Sequence, residues 1–260
     1  MQSFPGVALV VSASTSIGRA TSLQLSKHGC TRLVLVDQDS NQIESLAHEC
    51  RNAGEQDMEV LVLAGDLNDA DTVRRLILQA VEQYGCINYA ANCFDMPTTL
   101  GSTADMSLEY FKEPAEAVQR KARSLSHIWL WMREEVSQAL KQETNKGNSS
   151  ILSIVNVSTI HGIGSEPHLP ACAAASRAIV GMTRATAMDY IKSGIRINCV
   201  CHSAVAQQAP SEQKLLPSPL GRYLEVEEVS HAVVFLLAAQ SSAITGTQLP
   251  VDGGWSLYHY

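Results

Sequence analysis

The stretch Val7-Ala-Leu-Val-Val-Ser12 is an apolar run that ends on a serine, and Arg32-Leu-Val-Leu-Val-Asp37 is a second run that ends on a carboxylate. A Ser/Thr-rich turn follows the first run, and the apolar residues of Ile17–Gly29 then recur at helical spacing. Continuous apolar strands that alternate with helices are typical of a parallel sheet covered on both faces. This stretch therefore predicts a right-handed strand–helix–strand unit.

The same alternation continues through the rest of the chain. Further strands are predicted at Val60–Gly65, Ile87–Asn92, Ser150–Ser158, Arg196–Cys201 and Gln248–Val251. Further helices are predicted at Asn41–Ala53, Ala70–Tyr84, Leu108–Leu140, Ala171–Lys192 and Glu227–Ala239. No long linker or internal repeat divides the 260 residues. We therefore expect one α/β domain over residues 1–260, a Rossmann-like, doubly wound parallel sheet of about seven strands with helices on both faces.

Charge and hydropathy argue against two classes of partner. The chain has 19 Lys and Arg against 26 Asp and Glu, a formal net charge of −7, so no nucleic-acid partner is predicted. Its longest apolar run, Ala232–Ala239, is far shorter than the roughly 20 residues that cross a bilayer, so no membrane association is predicted. No basic residue precedes the apolar stretch Val7–Val11, and no signal peptide is expected.

The seven cysteines are odd in number and never form a Cys-x-x-Cys motif. This pattern is typical of reduced thiols in a cytoplasmic protein, and no metal site is predicted. Cys199 and Cys201 share one face of a predicted strand. Core packing is the favoured interpretation of this pair, and a metal site is the alternative.

The C-terminal half carries a series of motifs that resembles the short-chain dehydrogenase/reductase family. The matching motifs are Ile154-Val-Asn-Val-Ser-Thr159, Ala187-Met-Asp-Tyr190, Gly194-Ile-Arg-Ile-Asn-Cys-Val-Cys201, Pro219-Leu-Gly-Arg222, Glu227-Glu-Val229, Ile244-Thr-Gly246 and Pro250-Val-Asp-Gly-Gly254. The segment Trp129-Leu-Trp-Met-Arg-Glu-Glu135 resembles fungal members from secondary metabolism. The resemblance implies a homodimer or homotetramer, formed through the helices Leu108–Leu140 and Ala171–Lys192.

The cofactor positions depart from the family pattern. Where the family has T-G-x-x-x-G-x-G, this chain reads Val11-Ser-Ala-Ser-Thr-Ser-Ile-Gly18, so only the last glycine remains. The resemblance implies that Asp37 binds the adenosine ribose, which favours NAD over NADP if either binds. The alternatives are a scaffold turn that no longer binds a dinucleotide and a solvated loop aspartate. The candidate cofactor residues are Ser12, Ser16, Ile17, Gly18, Asp37, Asp66, Leu67 and Asn92.

The catalytic positions depart further. The family reduces carbonyls with a Tyr-x-x-x-Lys pair, a serine and a relay asparagine. We align that pair with Ala173-Ala-Ala-Ser-Arg177, where Ala173 has no proton to give and Arg177 keeps only the positive charge. Thr159 matches the serine, and no asparagine occurs between Asn92 and Asn145. The resemblance thus implies a degenerate catalytic set on an intact scaffold.

Other polar residues follow the predicted strands or lie on the segment that faces the substrate in the family. Histidines titrate near neutral pH, and an arginine can stabilise an oxyanion. The candidate catalytic residues are Thr159, Arg177, His161 and His168, and the candidate substrate-pocket residues are Asp95, Glu166, Cys172, His202 and Gln207. Taken individually, each histidine is better interpreted as an ordinary surface residue, and Cys172 as a packing residue rather than a nucleophile.

Three functions follow from this pattern. We favour an enzyme that has lost carbonyl reduction and catalyses an isomerisation, dehydration, cyclisation or pericyclic step on a small natural-product intermediate. The second is an NAD-dependent oxidoreductase in which His161 or His168 replaces the missing acid. The third is a non-catalytic binding partner of an active dehydrogenase. The identity of any cofactor stays open.

Overall fold

In the part of the chain that the structure describes, seven parallel strands form one sheet in the order β3-β2-β1-β4-β5-β6-β7. The computed structural model describes residues 4–55, 57–96, 101–106, 125–142, 151–206 and 218–258. The strands are β1 (Val7–Val11), β2 (Arg32–Asp37), β3 (Glu59–Ala64), β4 (Tyr89–Asn92), β5 (Leu152–Thr159), β6 (Ile195–His202) and β7 (Gln248–Val251). The helices are α1 (Ser16–Lys27), α2 (Ser40–Ala53), α3 (Ala70–Tyr84), α4 (Leu125–Ala139), α5 (Pro170–Tyr190) and α6 (Val226–Leu237).

The strand order reverses between β1 and β4, which lie side by side. Val11 at the end of β1 is level with Val36 of β2 and with Asn92 of β4. Thr159 at the end of β5 is level with His202 of β6. In a doubly wound sheet ligands bind at the carboxyl ends of the strands near such a reversal. The fold therefore brings the residues after β1, β4, β5 and β6 to one edge.

The two faces of the sheet are covered by different helices. Alternate residues of β1 point to opposite faces, so Leu9 packs with α3, α4 and α5, and Val10 packs with α1, α2 and α6. Both clusters consist mainly of buried aliphatic side chains, which explains why the strands read as continuous apolar runs. The predicted α/β fold class, a seven-stranded parallel sheet with helices on both faces, is confirmed. That residues 1–260 form one domain stays a prediction.

Some predicted boundaries differ from the structure. The fourth strand begins at Tyr89 rather than at Ile87, because the Gln142 side chain bonds both backbone groups of Ile87. The helix predicted over Leu108–Leu140 is described only from Leu125 onward, since residues 107–124 lie outside the described residues. Within the described ranges, none of the helices combines the length and hydropathy that a membrane span requires.

Candidate active site

The end of β5 turns sharply and brings three polar residues together. Thr159 ends β5 and caps the short helical turn Ile160–Gly162, and its Oγ1 accepts a hydrogen bond from the His161 backbone N–H at 3.3 Å. His202 lies on the neighbouring strand end, level with Thr159. This edge therefore carries a hydroxyl and an imidazole on adjacent strand ends, and a second imidazole on the turn that follows β5.

A buried cluster forms where α5 packs against the end of β5. Thr159 Oγ1 lies 2.8 Å from Ser176 Oγ and 3.7 Å from Cys172 Sγ. Cys172 and Ser176 are four residues apart, so they share one face of α5. Burial raises the pKa of the Cys172 thiol, and the hydrogen bonds from Thr159 and Ser176 oppose this only in part. Cys172 is therefore a protonated thiol at neutral pH and a poor nucleophile.

The structure differs here from the predicted alignment by one residue. Cys172 and Ser176, not Ala173 and Arg177, face Thr159. Each residue along a helix is rotated by about 100° from the last, so Arg177 points away from this cluster. Its guanidinium is exposed and donates to Ser165 Oγ at 2.9 Å. The Cys-x-x-x-Ser spacing, which equals that of Tyr-x-x-x-Lys, was the sequence signal for this arrangement.

His161 and Glu166 form an acid–base pair next to this cluster. His161 Nε2 lies 3.9 Å from Glu166 Oε2. The other oxygen of that carboxylate accepts the indole N–H of Trp255 at 2.9 Å, and the Trp255 and His161 rings meet edge to face with centroids 5.8 Å apart. The carboxylate is thereby held in place by a residue near the C-terminus. Trp255 was not among the predicted site residues.

The His161 ring is suited to accept a proton. Burial lowers its pKa, which the Glu166 carboxylate partly offsets and Arg177 lowers further, so the ring is neutral at pH 7. Its Nδ1 is buried and has no hydrogen-bond partner within the described part of the chain. A neutral imidazole with one nitrogen near a carboxylate and the other unpaired has the form of a general base with its orienting acid.

The remaining candidates are spread more widely. His202 is buried, and its Nδ1 donates to the Ser203 carbonyl at 2.7 Å, which leaves Nε2 as an acceptor. Burial lowers the pKa of His202, and the hydrogen bond to Ser203 opposes this in part. His168 is exposed, and Asp95 is half-buried on the loop after β4. Gln207 lies outside the described residues.

The turn between β1 and α1 is bonded within itself and to its neighbours. Ser12 adopts a left-handed conformation with φ of 59°. Thr15 Oγ1 caps α1 by accepting from the Gly18 N–H at 3.0 Å. A Cβ at Gly18 would lie 2.3 Å from the Ser12 carbonyl oxygen, so only glycine fits there. The Thr15 hydroxyl thus occupies one of the N–H groups at the start of α1 that an anion would need. Ser16 and Ile17 open α1 directly after this cap.

The other predicted cofactor residues also bond to the protein. The Asp37 carboxylate accepts from Ser14 and from the Gln38 N–H. Asn92 is fully buried and donates to Glu135 and to Asn156. The two cofactor candidates after β3 differ in exposure: the Asp66 side chain is exposed, and Leu67 is fully buried.

These contacts test whether a dinucleotide fits. A bound ribose would need the Asp37 carboxylate, which already accepts hydrogen bonds from Ser14. Asp37 is also only 3% exposed. The residues in this arrangement therefore do not fit a dinucleotide unless the turn is displaced.

In the described ranges no group of three or more His, Cys, Asp or Glu side chains could hold a metal ion. Cys199 and Cys201 are buried in the core with their sulfurs 3.8 Å apart.

Comparisons with known proteins agree with the fold. A family model described as enoyl-(acyl carrier protein) reductase matches residues 11–256. The short-chain dehydrogenase fogB of Aspergillus ruber is 29% identical over 268 residues, which cover 97% of each chain. The short-chain dehydrogenase srdC of Neurospora crassa is 30% identical over 270 residues, again with 97% of each chain covered. The crystal structure of levodione reductase superposes with a TM-score of 0.84 at 25% identity and covers 98% of each chain.

The predicted resemblance is confirmed over nearly the whole chain. The family model spans residues 11–256, and the two dehydrogenases above come from fungi, as the segment Trp129–Glu135 indicated. The chain belongs to the short-chain dehydrogenase/reductase family.

Proposed function

We propose that this enzyme catalyses a non-redox proton transfer, an isomerisation or dehydration, on a small natural-product ketone, with His161 as the base. The observation that carries the proposal is the His161–Glu166 pair. One imidazole nitrogen lies 3.9 Å from a carboxylate oxygen, and the other nitrogen is buried without a partner among the described residues. Such a base acts on a substrate that brings its own acidic proton.

The proposed step balances without an oxidant or reductant. His161 Nδ1 takes a proton from the carbon next to the carbonyl, and the C–H electron pair moves to the carbonyl oxygen as an enolate. In a β,γ-unsaturated ketone the imidazolium then gives the proton to the γ-carbon, and the double bond moves into conjugation. In a β-hydroxy ketone it protonates the β-hydroxyl, which departs as water while the enolate electron pair forms the new double bond. Glu166 stabilises the imidazolium between these two events, because opposite charges favour the protonated ring.

The cluster of Thr159, Cys172 and Ser176 could stabilise the enolate oxygen. An enolate oxygen needs hydrogen-bond donors where its charge develops. The Thr159 and Ser176 hydroxyls and the Cys172 thiol are uncharged donors within 4 Å of one another. We assign to this cluster the binding of the substrate oxygen.

The same cluster supports the loss of carbonyl reduction. The family's mechanism needs a phenol that a neighbouring lysine makes acidic. On the face of α5 that meets Thr159, this chain has a thiol and a hydroxyl, Cys172 and Ser176, and neither carries a positive charge. Burial raises the pKa of the Cys172 thiol, and neither side chain supplies the cation that the family's lysine provides. The pair can bind an oxygen but is poorly suited to complete a hydride transfer.

A second candidate function is NAD-dependent carbonyl reduction with His161 as the substitute acid. The names of the relatives favour it, since they include levodione reductase and the 3-oxoacyl-[acyl-carrier-protein] reductase FabG of Thermotoga maritima. It requires a bound dinucleotide, which the contacts of Asp37 and Ser14 oppose. The two functions differ in whether NADH is consumed.

A hydrogen–deuterium exchange assay tests the proposal without knowledge of the natural substrate. Enolisable cyclic ketones with a benzylic α-carbon, beginning with 2-tetralone, are incubated with the purified protein in D₂O without nucleotide, and exchange is followed by NMR. We expect exchange above the buffer rate, reduced about tenfold or more in His161→Gln. His168→Gln, which changes an exposed histidine on the same segment, is the matched control and should keep wild-type exchange. Ketone reduction with loss of NADH absorbance, and no exchange without nucleotide, would favour the second function.

A further inference from the structure

The carboxylate at the end of β2 is committed to the neighbouring turn. Asp37 Oδ2 accepts two hydrogen bonds from Ser14, one from the backbone N–H at 2.9 Å and one from the hydroxyl at 2.7 Å. Asp37 Oδ1 accepts the Gln38 N–H at 2.7 Å. We propose that Asp37 is a structural residue that locks the β1–α1 turn in place, and that the locked turn excludes a dinucleotide from this end of the sheet.

The lock is buried, which distinguishes it from a solvated loop carboxylate. Asp37 is 3% exposed, and a buried carboxylate is stable only when donors satisfy its oxygens. Ser14 supplies two of those donors from the turn, both to Oδ2. Ribose hydroxyls would have to displace them, so binding a nucleotide would leave Ser14 without its partner.

The turn is also fastened to both neighbouring strands. The Ala13 N–H donates to the Val36 carbonyl of β2 at 3.1 Å. The Thr15 hydroxyl is shared between the Ser12 carbonyl at 2.8 Å and the Cys93 carbonyl, just past β4, at 3.0 Å. Thr15 also accepts the Gly18 N–H, one of the groups that an anion would need. Opening the turn therefore breaks contacts to β2, to β4 and to the start of α1.

Thermal unfolding of the whole protein tests the lock. The variants are Asp37→Asn, which keeps the shape but loses an acceptor and the charge, and Ser14→Ala, which removes the hydroxyl alone. Asp66→Asn is the matched control, because Asp66 is an exposed carboxylate at the end of the adjacent strand. We expect Asp37→Asn to lower the Tm by about 5 °C, Ser14→Ala by about half as much, and Asp66→Asn to leave it unchanged. An unchanged Tm in Asp37→Asn would overturn the structural role.

Nucleotide titration of the wild-type protein tests the exclusion and needs no variant. We expect NAD, NADH, NADP and NADPH at about 1 mM to leave the Tm unchanged and to give no saturable heat in calorimetry. A saturable rise in Tm with any of the four would overturn the proposal, even if Asp37→Asn fails to fold.

Exclusion of a dinucleotide by the turn and proton transfer by His161 are separate properties of the protein. That function is measured without nucleotide and depends on His161, which is remote in sequence from the turn. Nucleotide binding with unchanged deuterium exchange would end the inference and leave the function intact. If no nucleotide binds and no deuterium exchange occurs, the proposed function fails and the exclusion of dinucleotides stands.

Discussion

His161 Nε2 and Glu166 Oε2 lie 3.9 Å apart, on a segment that follows the end of β5. Trp255 joins the two residues from the other end of the chain, with its N–H on the carboxylate and its ring edge against the imidazole. The pair is therefore held by tertiary contacts and not by the local loop alone. This is the arrangement that a general base needs, because its ring must stay oriented through the proton transfer.

The pair predicts a specific pH dependence. Burial lowers the pKa of His161 below its ordinary 6.5, and a base acts only when it is neutral. Activity should therefore be full at pH 7 and above and fall as the pH drops through the lowered pKa. Glu166→Gln removes the group that raises this pKa, so the acid limb should move to still lower pH while the plateau rate falls about tenfold. A pH–rate profile of both proteins checks this, and an acid limb that moves upward would contradict it.

The geometry of α5 predicts which side chain matters there. Ser176→Ala removes a buried hydroxyl 2.8 Å from Thr159 Oγ1 and should lower turnover about tenfold or more. Arg177→Ala removes an exposed guanidinium that bonds Ser165 and should change turnover by about twofold or less. Steady-state rates of the two variants, with circular dichroism to confirm folding, make the comparison. A larger loss in Arg177→Ala would restore the register that the sequence alignment suggested.

A buried carboxyl group on α4 predicts a pH-dependent stability. Glu135 is 1% exposed, its Oε2 accepts from Asn92 at 3.1 Å, and its Oε1 has no partner among the described residues. Burial raises its pKa from 4.5 to about 7, and the bond from Asn92 opposes this in part. The raised pKa means that the stability is present at low pH and is lost as the pH rises from about 4.5 through 7.

Glu135→Gln imitates the protonated acid at every pH. It should match the wild type near pH 4.5 and exceed its free energy of unfolding by up to about 3 kcal/mol above pH 8. Urea unfolding at the two pH values provides the measurement. Equal stability of the two proteins at high pH would show that Glu135 is not desolvated in solution.

The left-handed residue in the first turn predicts a stabilising substitution. Ser12 has φ of 59°, and its buried Oγ has no partner within the described residues. A left-handed conformation costs a non-glycine residue about 1–2 kcal/mol. Ser12→Gly should therefore raise the free energy of unfolding by about 1 kcal/mol, and by more than Ser12→Ala, which removes only the hydroxyl. The reverse order in denaturant unfolding would show that the turn is not strained at Ser12.

The fold was predictable because the sheet is buried on both faces, which makes each strand a continuous apolar run. The strand ends that carry Thr159 and His202 were predictable for the same reason. The face of α5 was not, because moving a helix alignment by one residue rotates every side chain by about 100°. The sequence alignment therefore placed Arg177 beside Thr159, where the structure has Ser176.

Contacts between distant segments were beyond sequence reasoning. Trp255 reaches Glu166 across 89 positions, and no local pattern links the two. The role of Asp37 likewise depends on Ser14, which is 23 positions away. The Ser14 hydroxyl comes close enough to donate to the Asp37 carboxylate only in the folded protein. The sequence indicated that a carboxylate, Asp37, ends the second strand. The structure shows that it accepts hydrogen bonds from Ser14 and Gln38.

The most direct test of the non-redox proposal is the mass of the product formed from a turned-over ketone in the absence of nucleotide. In H₂O the proposal predicts a product of the same mass as the substrate, or one lighter by a single water, and no loss of NADH absorbance when NADH is added as a control. In D₂O the same product carries deuterium. A product heavier by two hydrogens, formed only when NADH is supplied and consumed, would contradict it.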